Sequence, residues 1–512
     1  MASLRSRRSR PNAQLSDSER LVPSKEKKLT GVVQKARLYP QNDSYAIAVF
    51  TILAIFSRFY RISTPPAVVF DELHFSKFVD RLLTGTWFFD IHPPLGKLIL
   101  AYGSYILGYR PDPTFVIEKI GNPYPKSVKY VLVRSISAAF GVCTVPMTYV
   151  ISRNLSISRA SSILATSSVL FDFLGLIEGR LILMDSQLLF FCQVALLCAL
   201  QLWKTEPRSA KRWIWLTLTG LSAGAALSIK HTALATPGVI AVVSFFGLHF
   251  LKTPLTLVEC LYAGSCGLAL YASTFYFMFN LLWKTGGKYD RFMPPHFRRT
   301  LIGAAEYDPA AKRVSFLRLF WYLNRRMVQS NANIKKRHTW ESDWYHWIVN
   351  WRGVLYFLHK EARNNTTIRT QVYLLGNPVI IYLTLLCVVS FMMLLVLYAR
   401  YRDHVQKRKM YRKLEQIGYN GAFLLSGWLC NLLPYILVDR AAFIYHYIPG
   451  LFYGQLLAGL MLDMVPHGVR IYLVMMLIVC MFSSFIYWSP WIYAVPLPNE
   501  LHVERRWLPK WT

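Results

Sequence analysis

Apolar stretches of about 20 residues recur along this 512-residue chain, and they constrain its fold more than any other feature. A helix needs about 20 apolar residues to cross the hydrocarbon core of a bilayer. The composition agrees, because 54% hydrophobic and 17% charged residues leave too little polar surface for a soluble globule. The sequence therefore predicts an α-helical polytopic membrane protein with about eleven transmembrane helices. The predicted spans lie near residues 44–62, 129–151, 158–176, 182–203, 212–228, 233–251, 257–283, 377–399, 420–437, 441–463 and 470–490.

The distribution of basic residues predicts how these helices are oriented. The formal net charge of +31 would suggest a nucleic-acid partner in a soluble protein, but much of the excess lies in tails and loops between apolar stretches. By the positive-inside rule, the tail 1–43, the link Lys204–Arg212 and the block Arg400–Lys413 lie in the cytosol. The tail is basic and Ser-rich and lacks an apolar core, which predicts a disordered cytosolic segment and not a cleavable signal peptide. An odd number of spans then places the C-terminus in the lumen.

Residues 44–512 are interpreted as one membrane domain with two long luminal loops, at about 63–127 and 284–376. The second loop holds overlapping N-glycosylation acceptors at Asn364 and Asn365, which can be used only in the lumen. All eight cysteines fall in predicted spans, which predicts no disulfide framework.

Two adjacent carboxylates, Asp71 and Glu72, follow the first span. At the luminal interface such a pair is suited to acid or base chemistry. The alternative is that Asp71 caps the next helix and Glu72 favours the positive end of its dipole. Capping and catalysis do not exclude each other.

A His-Pro-Pro motif, His92-Pro93-Pro94, lies about twenty residues further on and is followed by Lys97. A residue before proline is held in an extended conformation, so the His92 ring is presented in a fixed direction. Alone, the motif is typical of a rigid turn that re-enters the membrane. Because the motif lies in the same loop as the two carboxylates, it indicates that these residues form one functional site.

Several charged residues are predicted to lie toward the luminal half of the membrane, where ionisable groups are costly and often functional. They are Arg58, Arg134, Glu178, Arg180, Asp185 and Lys230. Cations that converge near two carboxylates suggest a phosphate held close to a base. The alternative for each residue is an internal ion pair or a snorkelling side chain.

The second loop carries an aromatic segment, His338 to Trp347, that indicates an interfacial belt or a surface for a sugar or a polyprenyl chain. The chain lacks the spacing of a zinc site, a P-loop, a dinucleotide fingerprint or a nucleophile elbow. We therefore expect neither a metal nor a soluble nucleotide cofactor.

The first-loop motifs resemble those of the dolichyl-phosphate-mannose:protein O-mannosyltransferase family. Their amino-acid sequence is most similar to that of its second major subfamily. The motifs are Arg58 to Arg61, Val69-Phe70-Asp71-Glu72 and Asp90-Ile91-His92-Pro93-Pro94-Leu95-Gly96-Lys97. The resemblance continues through Arg134, Arg180 to Asp185, Asn331 to Gly353, Tyr445 to Pro449 and Trp507 to Trp511. It differs in one respect, because about 30 residues stand where the family usually inserts a β-trefoil MIR domain.

This resemblance implies a GT-C glycosyltransferase fold and inverting transfer of mannose from dolichyl-phosphate-mannose to Ser or Thr hydroxyls in the endoplasmic reticulum. It implies that the acidic pair is needed for activity, with Asp71 as the general base and Glu72 as its neighbour or acceptor-binding partner. It also implies that Arg58 and Arg134 hold the donor phosphate. His92, Pro93, Pro94 and Lys97 would support the first loop, and Arg180, Asp185, Lys230 and His338 would stand behind the site. A heterodimer with a related transferase is also implied.

Three alternatives remain at this stage. The chain could be a non-catalytic partner in such a complex, although it retains both carboxylates. A GT-C mannosyltransferase that acts on lipid-linked oligosaccharide would share the acidic first loop but not the His-Pro-Pro element. A transporter would show internally repeated, broken helices, and no repeat is visible.

Overall fold

The computed structural model describes residues 43–247, 253–334, 337–363, 366–406 and 411–511. The predicted cytosolic tail, up to residue 42, and the glycosylation acceptors Asn364 and Asn365 lie outside the described residues.

The described residues are mostly helical, and each predicted apolar stretch contains a helix. In chain order the helices are α1 (Ser44–Phe59), α2 (Glu72–Thr84), α3 (Leu95–Ile106), α4 (Tyr130–Asn154), α5 (Arg159–Phe171), α6 (Phe173–Glu178), α7 (Asp185–Leu202), α8 (Ala210–Leu227), α9 (Ala235–Phe246), α10 (Leu257–Leu281), α11 (Pro295–Arg298), α12 (Phe316–Ala332), α13 (Trp344–Ile348), α14 (Pro378–Gln406), α15 (Tyr411–Leu432), α16 (Ile448–Leu462), α17 (His467–Ile492) and α18 (Asn499–Glu504). Short 3-10 turns at His231–Leu234, Gly287–Phe292, Leu433–Leu437 and Ile444–Tyr447 connect some of them.

Five segments of the described chain are long and apolar enough to cross a membrane. They are Tyr130–Asn154, Asp185–Leu202, Pro378–Tyr401, Leu414–Leu437 and His467–Ile492, and two shorter apolar segments are Ser44–Phe59 and His231–Phe246. The protein is therefore an integral multi-pass membrane protein. All eight cysteines lie in these helices or in α10, and all are free thiols, as the sequence predicts.

Helices α8 and α10 pack with their backbones almost in contact. A Cβ atom added at Gly220 would lie 2.2 Å from the Ala263 carbonyl oxygen, and one at Gly224 would lie 2.3 Å from that of Gly267. Small residues permit such close approach between membrane helices. At the N-terminal ends of these two helices, Arg212 and Glu259 form an ion pair, and the Glu259 carboxylate also closes a capping box with Thr256.

The second long loop carries a small antiparallel sheet. Its strands are β1 (Val354–Arg363), β2 (Thr366–Leu374) and β3 (Leu497–Pro498), in the order β1-β2-β3. The β1–β2 register is interrupted by a bulge between Leu355 and Phe357. The third strand comes from the C-terminal segment, so the end of the chain packs on the second loop.

Candidate active site

The first long loop makes a sharp turn immediately before the two carboxylates. Phe70 has a φ of +46°, in the left-handed region that non-glycine residues rarely adopt. Its amide donates to the Tyr356 carbonyl of β1 at 3.2 Å, and its ring stacks on the Tyr356 ring at 4.0 Å between centroids. This contact with the second loop offsets the cost of the turn and fixes where α2 begins.

Asp71 and Glu72 open α2, and their side chains enter different environments. Asp71 occupies the N-cap position, but its carboxylate makes no capping hydrogen bond. It instead lines a cavity of about 730 Å³. The polar residues that line this cavity with it are His92, Glu178, Asp185, Lys230, His231, Thr232, Asn331, Tyr356, Tyr435, Arg440, Tyr445 and His446.

Burial raises the pKa of Asp71 above its ordinary value, and the neighbouring His74 and Lys230 oppose that rise. A carboxylate with a raised pKa is a stronger base when ionised, and it needs only to be deprotonated to accept a proton. Its oxygens have no hydrogen-bond partner among the described residues, so they are available to a substrate.

Glu72 is fully buried and belongs to an ion pair with Arg134. Its two oxygens accept from Nε and Nη2 of Arg134 at 2.8 and 2.9 Å, and from the amides of Ile182 and Val69 at 3.0 Å each. The remaining Arg134 donors bond carbonyls of the first loop, at Ile62, Pro65 and Ala67. Every donor of this guanidinium has a partner in the protein, so the geometry favours a structural role for the pair. The expected roles in acceptor and phosphate binding stay predictions.

His92 of the His-Pro-Pro motif lines the cavity, and Lys97 holds the backbone of this motif. Nζ of Lys97 donates to the carbonyls of His92 and Pro93, at 2.7 and 3.0 Å, and pairs with Asp90 at 2.5 Å. Burial lowers the pKa of His92 to about 3, so its ring is neutral at physiological pH. A neutral imidazole in a fixed direction can donate or accept a hydrogen bond with a sugar hydroxyl. The supporting role of Pro93, Pro94 and Lys97 is a prediction with which this geometry agrees.

Two cations face the cavity. Lys230 is buried and pairs with both oxygens of Asp185, at 2.8 and 2.6 Å. Arg440 follows the 3-10 turn after α15, and its Nη1 donates to Asn331 at 2.6 Å. Arg440 has no carboxylate partner among the described residues, which leaves its remaining donors for an anion in the cavity.

Aromatic side chains shape the opposite wall. The Tyr356 hydroxyl donates to Glu178, which ties β1 to the end of α6. Trp347 is buried behind this wall, edge-on to Tyr435 at 4.9 Å and parallel to His446 at 5.9 Å. The aromatic residues at the cavity surface are therefore phenylalanines and tyrosines, and the tryptophan supports them from behind.

Three predicted residues lie elsewhere. Arg58 is buried and donates to the Val169 and Leu170 carbonyls at 3.1 and 3.0 Å. Arg180 binds carbonyls at the end of α1, and His338 packs edge-on against Phe443 at 5.1 Å. None of the three lines the cavity. Their roles in donor binding or behind the site stay predictions.

An apolar groove of about 950 Å³ lies between α8, α9 and α10. Its lining includes Gly264 and, at one end, Tyr271. The Tyr271 hydroxyl lies 3.0 Å from Nε2 of His231, which lines the cavity. We call this the α8–α10 groove. A second groove, of about 1420 Å³, lies between α14 and α15, and neither groove shares a lining residue with the cavity.

Sequence reasoning missed Arg440, Asn331 and Tyr356 as site residues. Each stands in or beside a segment that carries the family resemblance, but no local pattern distinguishes it from its neighbours. A lone arginine after an apolar stretch is ordinarily a sign of topology, so Arg440 gave no separate signal. Among the described residues, no group of three or more His, Cys, Asp or Glu side chains is placed to hold a metal ion.

Two family profiles match the chain over most of its length. Residues 48–283 match the profile described as dolichyl-phosphate-mannose-protein mannosyltransferase. Residues 316–511 match the C-terminal four-transmembrane region of protein O-mannosyltransferase. The chain belongs to the protein O-mannosyltransferase family. Asp71, His92 and Lys230 lie in the first matched region, and Tyr356 and Arg440 lie in the second.

Relatives in the protein O-mannosyltransferase family match about half of this chain. Dolichyl-phosphate-mannose–protein mannosyltransferase 4 of Candida albicans is 33% identical over 271 residues, which are 50% of this chain and 36% of the relative. Protein O-mannosyl-transferase 2 of Danio rerio is 32% identical over 271 residues, which are 51% of this chain and 35% of the relative. The matched segment thus spans about a third of each relative.

The fold is that of solved GT-C glycosyltransferases. A chain of the Saccharomyces cerevisiae protein O-mannosyltransferase Pmt1–Pmt2 complex, bound to the sugar donor, superposes with a TM-score of 0.81 at 18% identity. The superposition covers 96% of this chain and 94% of that one. The oligosaccharyltransferase of Archaeoglobus fulgidus superposes with a TM-score of 0.50 at 9% identity. The predicted fold class is confirmed at this level.

Proposed function

We propose that this chain transfers mannose from dolichyl-phosphate-mannose to Ser or Thr hydroxyls of proteins, with inversion, in the lumen of the endoplasmic reticulum. One observation carries the proposal: an ionisable carboxylate, Asp71, faces a cavity with a cation at its edge and an apolar groove beside it. The names of the relatives support the same donor and reaction.

The residues can divide the reaction between them. The acceptor oxygen attacks C1 of mannose, its proton passes to Asp71, and the bond between C1 and the phosphate oxygen breaks. Negative charge develops on the leaving dolichyl phosphate, where Arg440 and Lys230 can stabilise it. A base on one face of the sugar and a leaving group on the other give inversion. The neutral His92 ring can orient a sugar hydroxyl.

The α8–α10 groove fits a lipid-linked donor. Its lining is almost entirely apolar, and the Tyr271–His231 hydrogen bond joins one of its lining residues to a lining residue of the cavity. A polyprenyl chain in this groove would leave its phosphate at the cavity. A water-soluble nucleotide sugar carries no apolar chain that could occupy such a groove.

Topology and assembly belong to the same proposal. About eleven spans, a cytosolic N-terminus and a luminal C-terminus follow from the apolar stretches and the basic residues. The superposed relative is a complex of two such chains, which supports a heterodimer with a related transferase. A glycan on Asn364 or Asn365 that endoglycosidase removes would place the second loop in the lumen.

The test is mannose transfer in membranes that contain the wild-type chain or its Asp71→Asn variant, with and without a related transferase. We expect wild type to transfer radiolabelled mannose to a Ser/Thr peptide as an alkali-labile product. Loss of a general base costs at least ~100-fold in rate. Mannose found only on lipid-linked oligosaccharide would favour the competing GT-C activity. If the chain transfers no mannose itself but a related transferase is active only in its presence, the chain is a non-catalytic partner.

A further inference from the structure

Strand β1 has an open edge that begins beside the candidate base. In the order β1-β2-β3, β1 pairs with β2 on one side, and no described strand pairs with its other side. The five residues Leu358 to Ala362 are all exposed. A strand paired on one side only presents a row of unpaired N–H and C=O groups, which an extended chain can use.

The first loop already uses the start of this edge. Tyr356 lies at the β-bulge, out of register with β2, and its carbonyl accepts from the Phe70 amide at 3.2 Å. Phe70 thus stands where a partner strand would pass, and Asp71 is the next residue. Leu358 lies two residues beyond Tyr356, which is about 7 Å along a strand. The open edge and the cavity are therefore continuous.

We infer that the open edge of β1 binds the acceptor polypeptide as an added strand and delivers its hydroxyl to Asp71; the inference rests on the proposed function. An extended segment along 358–362 has one end beside Phe70, at the mouth of the cavity. Pairing through the backbone is independent of sequence. The exposed side chains of Lys360 and Glu361 carry opposite charges, so this surface imposes little charge preference on an acceptor.

The substrate side of the test is an N-methyl scan. Acceptor peptides with a single Thr receive one backbone N-methyl group at each position in turn, and membranes with the wild-type chain supply the transferase. Because alternate residues of a strand point their N–H groups to the same side, KM should rise at every second position on one side of the Thr. A hydrogen bond worth about 1 kcal/mol corresponds to about 5-fold in KM. Side-chain replacement at the same positions is the control and should have a smaller effect without alternation.

The enzyme side uses two adjacent variants, Lys360→Pro and Glu361→Pro. In an antiparallel pair, one of two successive N–H groups faces the partner strand and the other faces away. One variant should therefore raise the acceptor KM about 5-fold with an unchanged melting temperature and donor affinity. The other should lower the melting temperature.

Three results would overturn the inference. The first is an N-methyl scan without alternation, and the second is an unchanged acceptor KM in both proline variants. The third is a wild-type chain that transfers no mannose to the unmodified peptide, which would remove the proposed function and the inference together. If the wild-type chain still transfers mannose while the scan shows no alternation or the proline variants keep their acceptor KM, this inference fails and the proposed function stands.

Discussion

Asp71 and Glu72, the adjacent carboxylates at the start of α2, should differ in what replacement by the matching amide removes. The Asp71 variant should lose activity, and the Glu72 variant should lose stability. Asp71→Asn removes a charge whose oxygens have no partner among the described residues, so stability should hardly change. Glu72→Gln removes the counter-charge of Arg134 and turns an acceptor of two hydrogen bonds into an amide donor that faces two other donors. The two variants make the same chemical change, from carboxylate to amide, at adjacent positions, so each is the control for the other.

The magnitude for Glu72→Gln follows from the burial of the pair. Both side chains of the Glu72–Arg134 pair are 0% exposed. Breaking a buried ion pair by removal of one partner costs about 3–5 kcal/mol, which is roughly 150- to 5,000-fold in the folding equilibrium. We expect the melting temperature to fall by on the order of 5 °C or more. A double variant, Glu72→Gln with Arg134→Met, should lose less than the sum of the two single variants, because neither charge is then left alone.

The assay is thermal unfolding of purified chain in mild detergent at one scan rate, beside mannose transfer in membranes. Asp71→Asn should keep the wild-type melting temperature and lose at least ~100-fold in transfer. The reasoning would be refuted if Glu72→Gln kept the wild-type melting temperature and lost transfer as fully as Asp71→Asn. That result would restore the catalytic role that the resemblance implies for Glu72.

Three further predictions concern the base, the donor phosphate and the donor lipid. Because burial raises the pKa of Asp71 and only its ionised form accepts a proton, transfer should fall on the acid side at a higher pH than for an exposed aspartate; His74→Gln, which removes an opposing charge, should move that fall to still higher pH in a pH–rate profile. Arg440→Gln should raise KM for the donor by about 10-fold or more, the value of a charge-assisted hydrogen bond, without a change in KM for the acceptor peptide. Gly264→Leu places a side chain in the α8–α10 groove, since a Cβ added at Gly264 meets no atom within 4 Å. Crowding of a donor chain in the groove costs about 1–3 kcal/mol, so the binding of a long-chain donor should weaken at least ~5-fold more than that of a short-chain donor. Gly418→Leu is the matched control, since Gly418 has the same free space in the groove between α14 and α15; equal effects of the two substitutions would argue against a donor chain in the first groove.

Hydrophobic periodicity and length were sufficient to predict the helices, because a bilayer leaves few other ways to satisfy the backbone. Of the residues that the sequence predicts for one site, Asp71, His92, Asp185 and Lys230 line one cavity. Glu72, Arg58, Arg134 and Arg180 do not line it. The sequence treats Asp71 and Glu72 as a unit, whereas successive residues at a helix start point about 100° apart.

One physical cause explains why the positions of the buried arginines were not foreseen. Whether a buried arginine binds a ligand or a carbonyl depends on which groups the fold brings to it. Carbonyls at Ile62, Pro65 and Ala67 occupy Arg134, and carbonyls at Val169 and Leu170 occupy Arg58. No residue type in the sequence marks a carbonyl as a future partner. Arg440 is the reverse case, because a residue that looks like a topological charge comes to face the cavity.

Arg134 also imposes an order on the assembly of the protein. It belongs to α4, yet it gathers three carbonyls of the first loop and the carboxylate of Glu72, 62 residues earlier in the chain. Until α4 is synthesised and inserted, the segment that presents Asp71 has no template to fold on. At ribosomal rates of about 5–20 residues per second, those 62 residues take roughly 3–12 seconds. During that interval the segment bears an uncompensated carboxylate at the membrane, and it stays accessible to chaperones and proteases of the compartment it enters.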